Sequence, residues 1–139
     1  GFFDFVFHAT IRSEGFGLGF EAAKFEFLGF DLFFDLQSKG LPLGEALFVY
    51  SWIRPGIAFA DQAETDLVWI REPFLIETAS HGPLIVHGHT AIERATHYGN
   101  RLNLDSGAAY GGPLSAVVIE GREAALLTPL GRQKLIISR

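Results

Sequence analysis

Neither cysteine nor methionine occurs in this chain of 139 residues. Without cysteine there is no disulfide, no thiolate metal site and no thiol nucleophile, and a cytoplasmic setting is the default expectation. The lack of methionine, even at position 1, reads as a processed chain or a piece of a longer one. Apolar residues make up 48% of the total, yet no run approaches the ~20 needed for a membrane-spanning helix, so no membrane partner is expected. Gly1-Phe2-Phe3 carries no basic leader and no small-residue cleavage site, which predicts no secretory signal. A net charge of −5 leaves no general basic face, and this argues against a nucleic-acid partner. What remains fits one domain with enough apolar content to bury a core.

Phenylalanine divides the chain in two. Eleven of its 14 copies lie at or before Phe34. Phe3, Phe5 and Phe7 alternate with Asp4 and Val6, as in a short strand. Phe20, Ala23, Phe27, Phe30 and Phe34 recur near helical spacing, which predicts a helix over residues 20–37 with Gly40 as its stop. Two readings of this face are open, packing on the core or a surface for a lipid or partner. Residues 1–40 are therefore treated as a Phe-rich segment and 41–139 as a second unit.

The second unit has a different texture. Ala46-Leu47-Phe48-Val49-Tyr50 is a buried strand by composition, and Arg54-Pro55-Gly56 forces a turn. Asp61 followed by Glu64 is a capping-box pattern opening a helix through Ile70, and Glu72-Pro73 predicts its end. Leu84 to His87 and Arg101 to Asp105 read as strands. Leu114 to Glu120 and Glu123 to Leu130 read as a hairpin around Gly121-Arg122. The expected class is α+β, mostly antiparallel sheet with few helices.

Few residues are chemically expressive. His87 and His89 are two apart, which on a strand puts both rings on one face; they are either metal-facing imidazoles at a strand end or two hydrogen-bonded core histidines. Arg71 follows Leu67-Val68-Trp69-Ile70. It is either a guanidinium steadied by a packed Trp69 to clamp a phosphate or a surface arginine paired with Glu72 or Glu77. Tyr110, in the small-residue loop from Gly107 to Gly112, either edges a pocket or belongs to plain turn chemistry. His8, His81 and His97 read as ordinary core or surface histidines. No Walker-type phosphate loop and no nucleophile elbow occurs, and Ser106 has no histidine arranged as a base.

Four stretches in order carry a resemblance: Phe48-Val49-Tyr50-Ser51-Trp52-Ile53-Arg54-Pro55-Gly56, Asp66-Leu67-Val68-Trp69-Ile70-Arg71-Glu72-Pro73-Phe74, Val86-His87-Gly88-His89-Thr90, and Asn100-Arg101-Leu102-Asn103-Leu104-Asp105-Ser106-Gly107-Ala108-Ala109-Tyr110-Gly111-Gly112. Together they resemble the carboxyl-terminal half of bacterial and phage-type serine/threonine protein phosphatases, which are calcineurin-like metallophosphoesterases, over roughly residues 41–130. The resemblance implies two stacked sheets flanked by helices, with a two-metal centre at the sheet edge. The implied activity is hydrolysis of a phosphorylated protein or small phosphoester by a metal-bridging hydroxide, with Mn, Fe, Zn or Ni as the divalent ions. By the same resemblance His89 is a metal ligand, Arg71 a catalytic and substrate-binding arginine, and Tyr110 a substrate-binding wall. His87 and Asp105 support the site from behind.

The chain also departs from that pattern. Tyr50 stands where the family has a metal-binding histidine, and Ser51 and Trp52 where it has Ala and Gly. A phenol with pKa ~10 is a poor ligand near neutrality. The amino-terminal motifs G-D-x-H-G, G-D-x-V-D-R-G and G-N-H-E are absent. The expectation is thus a phosphoester hydrolase by resemblance, incomplete and inactive alone. The alternative is a non-catalytic half-domain acting as a binding or self-associating module.

Overall fold

Apolar residues alternate sides along each central strand, so one backbone feeds two cores. The computed structural model describes the backbone of residues 8–12 and residues 40–138 in full; the expected helix over 20–37 and the expected strand at Phe3–Phe7 lie outside the described residues. The strands are β1 (His8–Arg12), β2 (Leu41–Leu43), β3 (Ala46–Phe48), β4 (Leu84–His87), β5 (Thr96–His97), β6 (Arg101–Asn103), β7 (Ala116–Glu120), β8 (Glu123–Thr128) and β9 (Gly131–Lys134). Two short helices, α1 (Glu64–Trp69) and α2 (Arg71–Ile76), and two 3-10 turns complete the description.

The strands form two sheets, one ordered β2-β3-β4-β6-β5 and the other β1-β7-β8-β9. Ala46, Phe48, Leu84, Val86, Leu102 and Leu104 of the first sheet face Val117, Ile119 and Ala124 of the second. The intervening residues Leu47, Val49 and Ile85 point the other way, onto Leu67, Ile70 and Phe74 of the helices. The order of layers is sheet, sheet, helices. His97 joins the two sheets: its Nδ1 accepts the Gly99 amide at 2.9 Å and its Nε2 donates to the Arg122 carbonyl at 2.9 Å.

A mixed α+β chain with two sheets and few helices agrees with the expected class. The expected antiparallel pairing holds in the outer ladders of the first sheet and from β7 to β9 in the second. Of the ladders between described strands four are antiparallel, but β3, β4 and β6 pair in parallel, as do β1 and β7. In the first sheet β3, β4 and β6 are buried along their whole length, which suits parallel strands, and the connection from β3 to β4 carries both helices. Among the described residues no helix is long and apolar enough to cross a membrane.

Two local expectations need correction. The capping box does not form: Asp61 closes a 3-10 turn, and α1 starts after Ala63 with no side-chain cap. Gln62 is extended instead, its side chain bonded to the backbone of Arg54 and Ile57. Nor does Pro73 end the helical stretch. It lies in the first turn of α2, where the N–H it lacks would have had no intrahelical partner.

Gly40 leads into β2 with φ +57, and a Cβ there would lie 2.5 Å from Cζ of Phe59. The left-handed backbone and the ring both oppose a side chain. Gly40→Ala is expected to cost about 1–2 kcal/mol, read as a lower midpoint in urea at unchanged m-value.

Candidate functional site

Strands β3, β4 and β6 run side by side in one direction, so their carboxyl ends open on one edge of the sheet. That edge is where open α/β sheets place ligands. Two residues past each strand end comes a polar residue: Tyr50 after β3, His89 after β4 and Asp105 after β6. The Gly88 amide donates to the Tyr50 carbonyl at 3.3 Å and keeps the first two in step.

His89 is exposed and has φ 63, the one non-glycine positive φ among the described residues. An imidazole held in the left-handed region carries a local cost that its surroundings must hold. The buried rings of Tyr50 and Trp52 do so. Tyr50 lies 4.9 Å from the His89 ring at 44°, and Trp52 meets it edge-on at 5.0 Å. The Trp52 indole N–H donates to the Thr90 hydroxyl at 3.2 Å. Partial burial lowers the His89 pKa; the nearby Asp105 carboxylate opposes this and the Arg71 guanidinium reinforces it. The Tyr50 phenol is pushed up by burial first, then by Asp105 and Tyr110.

The His89 imidazole thus feels Asp105 and Arg71, and the Tyr50 phenol feels Asp105 and Tyr110. Asp105 accepts the Gly107 amide at 3.1 Å, and its own amide donates to Asn103 Oδ1 at 2.9 Å. Tyr110 closes a 3-10 turn between Gly107 and Gly111, both left-handed, as turn chemistry requires. The serine of that loop, Ser106, is buried and donates to the Pro113 carbonyl while touching Ser115 Oγ.

Arg71 is the first residue of α2 and is exposed, with Glu72 at 3.9 Å, a surface pair worth little. Glu77 does not reach it, since its carboxylate accepts the Thr78 and Ala79 amides. The expectation that a packed Trp69 steadies Arg71 is corrected: Trp69 is 79% exposed, because Leu67 and Ile70 take the inward positions of α1.

The two histidines of the H-x-H pair do not share a face. Strand β4 stops at His87, and the left-handed turn at His89 sends the second ring elsewhere. His87 is fully buried, with Nδ1 donating to the Gly88 carbonyl at 3.2 Å and Nε2 accepting from Arg101 at 3.2 Å. Desolvation and the Arg101 charge lower its pKa to about 3. The structure therefore brings His87 to Arg101 and the helix layer.

Arg101 and Asn100 escaped the sequence reading. Arg101 is 6% exposed, lies 3.7 Å from the centre of the Tyr98 ring and donates to the Leu75 carbonyl at 2.9 Å. The Asn100 amide donates to the carbonyls of Glu77 and Ala79 at 2.7 and 3.0 Å. Both residues grip the chain as it leaves α2, the helix that starts with Arg71. For Arg101 the signal was available: in Arg101-Leu102-Asn103 polar side chains alternate with an apolar one on a strand buried throughout.

No family model, curated protein or solved structure matches this chain.

Proposed function

We propose that this chain is the carboxyl-terminal half of a phosphoester hydrolase of the serine/threonine protein phosphatase type, and that its described residues recognise a phosphorylated protein or small phosphoester without hydrolysing it alone. The observation that carries this reading is the carboxyl edge of three parallel strands, where the His89 imidazole stands in a left-handed turn against Tyr50 and Trp52. A guanidinium offers two parallel N–H donors to a phosphate, and the imidazole supplies one more. Tyr110, exposed in the turn after β6, offers an aromatic face to a ligand. Two sheets with helices outside one of them agree with the architecture that the resemblance implies.

The divalent ions implied by the resemblance do not fit these residues. Among the described residues no three His, Asp or Glu side chains are grouped to hold a metal ion. His89 and Asp105 supply one imidazole and one carboxylate, whereas a hydrolytic zinc site takes three protein ligands and harder ions take more oxygen donors. No hydrolytic step is therefore assigned to them.

The test is a calorimetric titration with phenyl phosphate. Arg71→Ala is expected to weaken binding at least about tenfold, equivalent to ~1.4 kcal/mol, while Arg132→Ala, on exposed β9, leaves it unchanged. Equal affinity in all three chains defeats the reading.

The self-associating alternative has its own observation. Leu127, Leu130, Ile136 and Ile137 are exposed along β8 and the end of the chain. Sedimentation velocity distinguishes it: an s-value that rises with concentration supports association, and a constant monomer value removes it.

A further inference from the structure

We infer that a cavity beside the helix layer, between the turn at Arg54-Pro55-Gly56 and the turn at Ser80-His81-Gly82, is a binding site for a small carboxylic acid with an apolar body. The cavity has a volume of about 320 Å³ and opens to solvent, at the lower end of the range for small-molecule sites. Ile53, Ile57 and Ala58 supply its apolar wall, and Ser80, His81 and Gly82 its polar one. Neither Arg71, His89 nor Tyr110 lines it, so the inference stands apart from the phosphate reading. Both walls are braced from behind, which spares a ligand the cost of ordering them. Gln62 holds the first: its Oε1 accepts the Arg54 amide at 2.7 Å, and its Nε2 donates to the Arg54 and Ile57 carbonyls at 2.9 Å. Asn100 holds the second through the Ala79 carbonyl at 3.0 Å, and Arg122 through the Gly82 carbonyl at 2.7 Å.

The polar wall presents donors. The Asn100 amide nitrogen lies 3.2 Å from His81 Nε2. That amide nitrogen only donates, so Nε2 is the accepting nitrogen of the neutral ring and the proton sits on Nδ1. The Ser80 hydroxyl oxygen accepts the Gly82 amide at 3.2 Å, which leaves its hydrogen to donate. No carboxylate lines the cavity. Among the described residues none lies within ion-pair distance of Arg122 either, and its bond to Gly82 holds this guanidinium at the rim. A planar fork of N–H groups beside two neutral donors, with no acid to compete, selects a carboxylate. Ile57 is 43% exposed at the mouth, and an apolar ligand body would cover it.

The experiment titrates sodium benzoate into the full chain, and separately benzyl alcohol, which has the same ring and no charge. Nitrogen-resolved NMR of the histidine rings follows both. The expected result is a saturable shift of the His81 ring signals with benzoate, and affinity for benzyl alcohol at least about tenfold weaker, the worth of a charge-assisted hydrogen bond. Equal affinity for the two compounds, or no saturable shift of His81, overturns the inference. In Arg122→Gln benzoate is expected to lose most of that advantage while benzyl alcohol binds as before. Unchanged benzoate affinity in the folded variant overturns the role given to Arg122, and the two wild-type titrations decide by themselves if it does not fold. Ala58→Phe, which fills the cavity, is expected to abolish the shift. Benzoate that still moves His81 in that folded variant overturns the location of the site.

Discussion

Phe74→Ala is expected to cost about 3–5 kcal/mol, the range for emptying an aromatic site in a packed core. Phe74 is fully buried at the centre of the helix layer. Its ring stands edge-on to His87 at 5.0 Å and tilted to His81 at 5.4 Å, with the Arg101 guanidinium 5.7 Å away. One feature pulls the cost toward the lower end. Arg101 Nε and Asn100 Oδ1 are buried without a hydrogen-bond partner, and water entering the vacated space would satisfy polar atoms of this kind. The total stability of a domain is about 5–15 kcal/mol, so the variant should be marginal at physiological temperature. Urea unfolding followed by tryptophan fluorescence measures this, and a loss below ~1 kcal/mol would contradict the packing described.

Acid is expected to destabilise the fold through His87 before the carboxylates titrate. The unfolded chain binds a proton there near pH 6.5, whereas the folded chain resists it until about 3. Between those values the unfolded state holds more protons, so stability falls as pH falls, by at most about 1.4 kcal/mol per pH unit. Above pH 6.5 both states are neutral at this site and it contributes no slope. The physical obstacle is that a protonated Nε2 would point a hydrogen at the Arg101 guanidinium, 3.2 Å away, with two positive charges in a dry interior. His87→Gln removes the titration. Its stability should be flatter than the wild type between pH 6.5 and 4, and identical slopes for the two chains would refute the assignment.

The sequence was most legible where one pattern had one explanation. Leu84 to His87 is a strand with those bounds, and Gly121-Arg122 turns the hairpin between β7 and β8. The run Ala46–Tyr50 also announced a buried strand, but a local pattern carries no information about strand direction. Direction is set by the crossovers: the one from β3 to β4 carries both short helices, and the one from β4 to β6 carries only β5. Pro73 and Asp61 misled for a related reason. Each has a favoured place at a helix start, and its meaning shifts with where the preceding turn of helix happens to end.

At the candidate site the motifs pointed to His89, Arg71 and Tyr110; His89 stands in the turn after β4, Arg71 opens α2 and Tyr110 closes the 3-10 turn after β6. The environment of His89 was less legible. Tyr50 and Trp52 stood out only as departures from a family pattern, and their packing on the imidazole depends on three strand ends meeting. Arg101 was hidden by a habit of reading arginine as surface. A guanidinium can be buried when an aromatic face and a backbone carbonyl accept it, as Tyr98 and Leu75 do here.

The pairing of β1 with β7 bears on how the chain reaches this state. These strands lie roughly a hundred residues apart and run in parallel register, His8 opposite Ala116. Such a union closes a long loop, which slows folding relative to local hairpins. During synthesis the first strand leaves the ribosome long before its mate exists. The hairpin of β7 and β8 is the natural template, formed late and locally, onto which the waiting strand then docks.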